Sequence, residues 1–312
     1  MQVEVPRKGL QFDCLLNGIL ALSSLDMAMT AQGTQAMVYN RAAMEYYDKS
    51  IQTFREDINN ITPENHDSLY FVAVMIGLIN IAALQLPRDG ASVPRVLDHI
   101  PEIFDLLRGP VVVAVRCWEW LVESTESVRI VLAMKEASRD DLDPGTREAF
   151  ARLEAINDRL HISTAGQPGD DPEVVIRVRA RETYKKAIAH LERCFAEEAR
   201  GLIDGFLMAF PVFAGAREFM KAVRKSDPMA LLILMHFAVL LETHSKKAWW
   251  APSVGKRLVM EISDVLEKSE LTLVPQFWEA VSWARQQIGC PILIEAGQPG
   301  AFEIMEINEH VE

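Results

Sequence analysis

The sequence predicts an all-α protein that forms a single helical bundle. Apolar residues fill several segments of helix length or recur along them with a helical period, which is the primary signal for α-helices. Signals that start helices, such as Asp227 followed by Pro228, stand in front of these segments. Hydrophobic residues make up 49% and charged residues 24% of the 312-residue chain, a balance and a length that allow a substantial core.

The first third of the chain is expected to begin with three helices. Leu15–Ala31 is apolar almost all round, as a buried helix is, and Tyr39–Ile58 has the amphipathic pattern of a surface helix. The next helix is expected to start with Thr62 as its N-cap and Pro63 at its first position. The run Leu69–Leu86 comes closest to a membrane span, but polar residues interrupt it and favour a buried core helix.

The middle of the chain is predicted less sharply. A helix is expected from Pro101 to Leu107, with Gly109-Pro110 as its break. The β-branched segment Val111–Leu121 is compatible with a strand, a helix or an irregular stretch. An amphipathic segment, Arg147–Leu160, lies within a longer region, 138–172, that we expect to be a mobile loop because polar residues, Gly and Pro punctuate it.

The last part of the chain contains the most hydrophobic helix, expected over Met229–Leu241 with Asp227 as its N-cap. Further helices are predicted over Val174–Arg200, Ser253–Leu266 and Phe277–Ile288. The tail, 291–312, is expected to be a short extended hairpin or a partly disordered end. No internal repeat or strong linker interrupts the sequence, so one domain over 1–312 is the simplest prediction.

Charge and cysteine usage exclude several classes of protein. The net charge of −12 argues against a nucleic-acid interface, because duplex binding relies on Lys and Arg that neutralise phosphates. The four cysteines, far apart in sequence, are expected to be reduced thiols. Neither a signal peptide nor about 18 uninterrupted apolar residues is present, so we expect a cytoplasmic protein without a membrane span.

Standard catalytic motifs are missing from the sequence. It contains no nucleophile elbow, Walker loop, dinucleotide fingerprint or zinc-binding HExxH. The acidic pairs Asp140-Asp141 and Asp170-Asp171 lie in polar segments and are better explained as solvated loops than as magnesium ligands. We therefore expect neither a metal nor another cofactor.

Two separated segments carry a resemblance to a known family. They are LLNGILALSSLDMA, Leu15–Ala28, and DPMALLILMHFAVLLETHSKKAWW, Asp227–Trp250. Together they resemble the C-terminal effector domain of fungal zinc-cluster transcription factors of the sterol uptake control type, and further similar pieces follow in order over Val5–Gly289. The resemblance implies an all-α bundle with a buried apolar pocket for a sterol-like ligand. No six-cysteine cluster precedes residue 14, so we expect no DNA-binding regulator if Met1 is the natural start.

Stand-alone relatives of this effector domain are similar to hetero-Diels–Alderases of fungal polyketide–terpene pathways. This resemblance implies a pericyclase of secondary metabolism that joins a tropolone o-quinone methide to a humulene-type sesquiterpene and yields a meroterpenoid. Such a cycloaddition needs no cofactor, only two partners held in a dry pocket and a hydrogen-bond donor at the oxygen that gathers charge.

Two other functions stay open. The chain is also compatible with a ligand-sensing regulatory module for a sterol or terpenoid, which would be nuclear, and with a lipid or terpenoid carrier. The expected partners are apolar small molecules, and a homodimer is an open alternative.

Two histidines of the segment Asp227–Trp250 are the candidate catalytic residues. His236 lies inside the apolar run LLILMHFAVLL, where a buried imidazole must find a hydrogen-bond partner. It is either a donor to a ligand carbonyl or a satisfied core histidine. His244 follows about two helical turns later, on a similar face. Trp249 and Trp250 are expected either to clamp a flat conjugated ligand or to anchor the bundle.

The remaining candidates for substrate binding are large apolar side chains. They could line a hydrocarbon pocket or pack in the core. The main cluster consists of Phe206, Met208, Phe210, Phe213 and Phe219. Trp118 is a weaker candidate, because Trp118 and Trp120 are two residues apart and face different directions on a helix.

Overall fold

The protein is all-α, as the sequence predicts. The structure is a computed structural model and describes residues 4–87, 92–125, 128, 136–162, 172–202, 205–213 and 217–291, within which no strand occurs. In chain order the helices are α1 (Glu4–Gly9), α2 (Asp13–Thr30), α3 (Gly33–Asp57), α4 (His66–Ala83), α5 (Val96–Leu107), α6 (Gly109–Arg116), α7 (Trp118–Ser124), α8 (Pro144–Ile162), α9 (Pro172–Arg200), α10 (Ala209–Phe213), α11 (Arg217–Arg224), α12 (Pro228–Ser245), α13 (Val254–Leu266) and α14 (Phe277–Gln287). Short 3₁₀ turns cover Arg139–Asp141, Phe206–Met208 and Glu270–Leu273.

Most helices occupy the segments in which the sequence predicts them. The start of α12 is confirmed in detail, because the Asp227 carboxylate accepts the N–H groups of Met229 and Ala230 at 3.0 and 3.1 Å. The boundary at Gly109-Pro110 is also confirmed, since α5 ends at Leu107 and α6 begins at Gly109. The tail from 292 onward lies outside the described residues.

The predicted start of the third long helix is wrong by three residues. Helix α4 begins at His66 and not at Pro63. The Thr62 N–H donates to Asn65 Oδ1 at 2.7 Å, and the Thr62 hydroxyl accepts the Glu64 N–H at 3.3 Å. These short-range hydrogen bonds satisfy the polar groups in a turn that precedes the helix, which is how Asn and Thr compete with helix formation.

The start predicted at Pro101 is also wrong, because α5 begins at Val96 and contains this proline. The reason lies 165 residues downstream, where the Glu261 carboxylate of α13 accepts the N–H groups of Val96 and Leu97 at 3.1 and 2.8 Å. A carboxylate at these positions satisfies N–H groups that an α-helix leaves unpaired at its N-terminus. The sequence pattern around Pro101 gives no sign of this distant cap.

In the middle of the chain, the structure decides between the alternatives for one segment and corrects the prediction for another. The ambiguous segment Val111–Leu121 is helical, and it divides into α6 and α7 at Cys117, where φ is −132°. The predicted mobile loop over 138–172 instead contains a 3₁₀ turn and the nineteen-residue helix α8. Helix α8 is held in place because its side chains Phe150 and Leu153 are fully buried. Residues 163–171 of this range lie outside the described part of the chain.

The core divides into two apolar clusters that share helix α4. The larger cluster forms around α12, in which every residue from Met229 to Leu241 is buried. The smaller cluster contains α2 and the inner faces of α6 and α7, and its partly buried members include Tyr47 and Trp120. Helix α4 contributes Ile81 to the larger cluster and Leu69 to the smaller one, so it joins the two.

Two helices, α4 and α12, are long and apolar enough to cross a membrane by length and composition. In each, however, 72% of the apolar window is buried within the fold. A mostly buried core helix passes the same test of length and composition, so among the described residues these two helices are weak evidence for a membrane span.

A close crossing of α12 and α13 positions the larger cluster. Gly255 stands at the crossing, and a Cβ added there would overlap the Ala238 carbonyl oxygen and lie 2.5 Å from the Glu242 N atom. Only glycine lets the two backbones approach so closely. The crossing is strengthened by the Glu242 carboxylate, which accepts the Lys256 N–H at 2.9 Å.

We expect Gly255→Ala to lower the free energy of unfolding by about 1–3 kcal/mol, the usual cost of overpacking a tight contact. Gly109→Ala is the control, because its Cβ would lie 3.9 Å from the Ala73 Cβ, an ordinary contact. The free energy of unfolding of the Gly109→Ala control should equal that of wild type or exceed it by up to about 1 kcal/mol. Urea titration of both variants measures the difference. Equal stability of the two variants would contradict the close crossing.

Candidate functional site

A cleft of about 270 Å³ opens at the C-terminal end of α12. Helices α8, α9 and α12 form its walls, together with the end of α14. Its lining combines apolar side chains on one hand with carboxylate, ammonium, imidazole and hydroxyl groups on the other. The lining residues are Leu142, Asp143, Thr146, Phe195, Glu198, Ala199, Val239, Leu240, Thr243, His244, Lys247 and Gln287.

His244 is the central polar residue of this cleft. It stands in the last turn of α12, and 9% of its side chain is exposed, so the imidazole is largely shielded from water. Its Nδ1 atom lies 3.8 Å from Glu198 Oε2, a distance that allows an ion pair when the ring is protonated. The ring of Trp250 packs against the imidazole with the centroids 5.9 Å apart. These contacts fix the orientation of the imidazole.

Glu198 contacts both the imidazole of His244 and the loop that contains Gly205 and Leu207. While Oε2 lies beside His244, Oε1 accepts the Leu207 N–H at 3.1 Å. The loop reaches this position through Gly205, whose φ of +82° is a left-handed conformation that side chains rarely adopt. A Cβ at position 205 would lie 3.7 Å from two atoms of the imidazole, so this loop packs directly against His244.

A second carboxylate, that of Asp143, also lines the cleft. Asp143 precedes α8, and its Oδ1 accepts the Thr146 N–H at 3.0 Å, as an N-cap does. Hydrogen bonds from Thr146 lower the pKa of Asp143, so this carboxylate is charged at neutral pH. The lining therefore contains a fixed negative charge as well as the Lys247 ammonium and the apolar side chains of Phe195 and Val239.

His236, the other candidate histidine, is fully buried and does not line the cleft. Its Nδ1 lies 2.9 Å from the Leu232 carbonyl oxygen, and its ring stacks on Trp283 at 5.0 Å between centroids. The Nε2 atom has no hydrogen-bond partner. Burial, reinforced by the positive charge of Arg152, lowers the pKa of His236 to about 4, so the ring is neutral at pH 7.

A layer of aromatic rings separates His236 from the cleft. Phe195, which lines the cleft, packs against Phe150 at 5.2 Å and Trp283 at 6.2 Å between ring centroids. Phe150 and Trp283 in turn contact the imidazole of His236. The structure therefore places His236 behind these rings, in the core and not in the cleft lining.

The two predicted tryptophans occupy different environments. Trp249 is 41% exposed, and Trp250 is partly buried against both apolar clusters. The Trp250 carbonyl accepts the Gln85 side-chain amide at 2.8 Å, which ties this residue to the end of α4. Trp250 thus packs against the His244 ring, and neither indole lines the cleft.

The described side chains of the predicted aromatic cluster do not line the cleft either. Phe210 and Phe219 are fully buried and their rings pack on each other, which favours core packing over ligand binding. The Phe210 ring also packs on Phe104 and Phe237. Phe206 lies under the Arg193 guanidinium at 5.8 Å, and Met208 is partly buried on the same core. The Phe213 side chain lies outside the described residues. Trp118 is 46% exposed on α7 and is not a cleft residue.

Sequence reasoning found one residue of the cleft, His244, and missed those that surround it. Glu198 and Phe195 lie on the long charged helix α9, where a carboxylate looks like any solvated side chain. The one available signal was that Phe195 and Cys194 form an apolar pair between charged residues, which indicates a buried face of α9 at this point.

No family model, curated protein or solved structure matches the chain. The resemblance to the effector domain of zinc-cluster regulators accordingly stays a prediction. Among the described residues, no three or more His, Cys, Asp or Glu side chains come together in a group that could hold a metal ion.

The lowered pKa of His236 predicts a pH-dependent stability. In the unfolded chain His236 has a pKa of about 6.5 and binds a proton between pH 7 and pH 5. In the folded chain its pKa of about 4 keeps it neutral over this range. The contribution of the neutral His236 to the free energy of unfolding is therefore fully present above pH 6.5 and is lost as the pH falls toward 4. We expect His236→Phe, which keeps an aromatic ring on Trp283, to remove about 2 kcal/mol of the loss between pH 7 and pH 5. Urea titrations at both pH values measure this, and an identical loss in wild type and variant would contradict a neutral buried His236.

Proposed function

We propose that the cleft around His244 binds a conjugated polyketide and that the protein is a cofactor-independent pericyclase. The reaction is an intermolecular hetero-Diels–Alder addition of a tropolone o-quinone methide to a humulene-type sesquiterpene. The observation that carries the proposal is the position of His244, a shielded hydrogen-bonding group in a cleft whose lining includes the apolar side chains of Phe195, Val239 and Leu240. The reaction itself comes from the resemblance to the hetero-Diels–Alderases.

The size of the cleft limits what it can hold. Its volume of about 270 Å³ is slightly below the range of roughly 300–1,000 Å³ for pockets that bind drug-sized ligands. One flat ring system fits this volume, whereas two reactants together do not. The quinone methide would occupy the cleft, and the terpene would approach from the open side, where it shields the reacting atoms from water.

His244 has the chemistry that the reaction requires. As the bonds form, negative charge gathers on the quinone methide oxygen, and an imidazole N–H lowers the barrier by donating to it. The donor is preorganised because Glu198, Gly205 and Trp250 hold the ring from three sides. Phe195, Val239 and Leu240 supply the apolar surface on which a conjugated ring packs.

The test is a coupled assay with the purified protein, humulene and a precursor that releases the quinone methide in solution. Chiral LC–MS follows the adducts over time. We expect the protein to speed up the formation of one stereoisomer, and His244→Ala to slow it at least about tenfold, the effect of a lost donor worth roughly 1.4 kcal/mol.

His99→Ala is the matched control, because His99 lies on α5 and does not line the cleft. Its rate should equal that of wild type. A racemic adduct formed at the protein-free rate would refute the pericyclase. A stereoselective reaction that is unaffected by His244→Ala would move the reaction to another part of the protein.

A ligand-sensing module for a sterol or terpenoid is the second candidate function. It is favoured by Trp250, which contacts His244 at the cleft and packs against both apolar clusters. A ligand that reorients His244 would disturb Trp250, and through the hydrogen bond from Gln85 it would reach the end of α4. Coupling of this kind requires an element that both sites contact, which Trp250 provides.

Hydrogen exchange with and without a bound terpenoid tests the sensing function. We expect added protection in α12 and also at the C-terminal end of α4, and we expect Trp250→Phe to keep the protection in α12 but lose it in α4. Phe retains most of the apolar packing while it removes the indole. Protection confined to the cleft helices in the wild-type protein would argue against a sensor.

A further inference from the structure

A serine and a histidine form a close pair on the smaller apolar cluster, far in sequence from the cleft residues. Ser124 ends α7, and His66 begins α4. The His66 Nε2 atom lies 2.8 Å from Ser124 Oγ, although 58 residues separate them in the chain. The sequence gives no sign of this pair, since neither residue stands in a recognisable motif.

The other ring nitrogen determines the direction of this hydrogen bond. His66 Nδ1 lies 2.8 Å from the Pro63 carbonyl oxygen, which can only accept, so Nδ1 carries the proton in the neutral ring. Nε2 is then the acceptor, and the Ser124 hydroxyl donates to it. An imidazole fixed in this tautomer and bonded to a hydroxyl is the arrangement that activates a serine nucleophile.

A second hydroxyl assists Ser124. Thr125 Oγ1 lies 3.3 Å from Ser124 Oγ. Because the Ser124 proton points at His66, Thr125 is the donor of this pair, and its hydroxyl is placed to stabilise negative charge on Ser124 Oγ. The base is shielded, since His66 is only 4% exposed and packs against Trp120 at 6.0 Å between ring centroids. Ser124 itself is exposed and open to a reagent.

We propose that Ser124 and His66 form a nucleophilic pair that accepts acyl groups from esters. Ser124 Oγ attacks the carbonyl carbon of the ester, and its proton passes to His66 Nε2. When the bond from that carbon to the leaving oxygen breaks, His66 returns the proton to the leaving group. Water then attacks the carbonyl carbon of the acyl group on Ser124 while His66 Nε2 takes a proton from it. The bond from that carbon to Ser124 Oγ breaks, His66 returns the proton to Oγ, and a carboxylic acid leaves.

The position of Ser124 defines the class of ester. Ser124 is the last residue of α7, and a helix end presents carbonyl groups rather than the N–H groups that stabilise an oxyanion. The reaction then depends on the leaving group, so the substrates are aryl esters and other esters of acidic alcohols, and not amides. This activity is independent of the His244 cleft.

The test treats the full chain with p-nitrophenyl acetate and, separately, with a fluorophosphonate, whose P–F bond breaks as Ser124 Oγ attacks phosphorus. Peptide mass spectrometry locates the modified residue. We expect both reagents to modify Ser124, and we expect Ser124→Ala to abolish this modification. His66→Gln, which removes the base, should slow it at least tenfold while the circular dichroism stays that of wild type.

Ser269 is the internal control, because its hydroxyl donates to the Leu266 carbonyl at 2.7 Å and has no imidazole partner. It should react at least tenfold more slowly than Ser124 in the same wild-type sample, a comparison that holds even if His66→Gln does not fold. Equal rates at the two serines, no modification of Ser124, or an unchanged rate in a folded His66→Gln variant would overturn the proposal.

Discussion

The complete burial of residues Met229–Leu241 of α12 is the constraint on which the rest of the structure depends. Thirteen consecutive residues, Met229 to Leu241, lie in the core, so helices must cover this helix on all sides. Gly255 allows α13 to approach closely, and α9 and α14 cover other faces. The cleft forms where this covering ends, in the last turns of α12, and it is there that His244 meets the side chains of α9.

The same constraint explains how much of the fold the sequence could predict. Helices with an apolar run or a periodic stripe, such as α2 and α12, were predicted within a few residues, because the pattern itself requires burial. The N-cap at Asp227 was predicted because a cap is a local interaction. The start of α5 was missed because its cap, Glu261, lies 165 residues away. A local sequence pattern does not indicate a hydrogen-bond partner that lies so far away in the chain.

The residues of the candidate site could be predicted from the sequence less well than the helices. His236 was named because a buried imidazole on an apolar helix needs a partner, and His244 because it follows about two helical turns later on a similar face. Only the packing separates them, since His236 stacks on Trp283 in the core and His244 meets Glu198 and Trp250 at an opening. The Phe206–Phe219 segment was expected to line a hydrocarbon pocket, yet Phe210 and Phe219 fill the core. Composition shows that side chains are apolar, and it does not show which of them border a cavity.

The central claim is that the cleft around His244 binds a flat conjugated ligand, and photo-crosslinking tests it most directly. A tropolone that carries a diazirine would be irradiated with the protein, with and without excess unlabelled tropolone, and the modified peptides would be sequenced by mass spectrometry. The account predicts competable labelling of Phe195–Ala199 and of Val239–Lys247, the two segments that contribute most of the cleft lining. Labelling that avoids both segments, or that excess tropolone does not reduce, would contradict it.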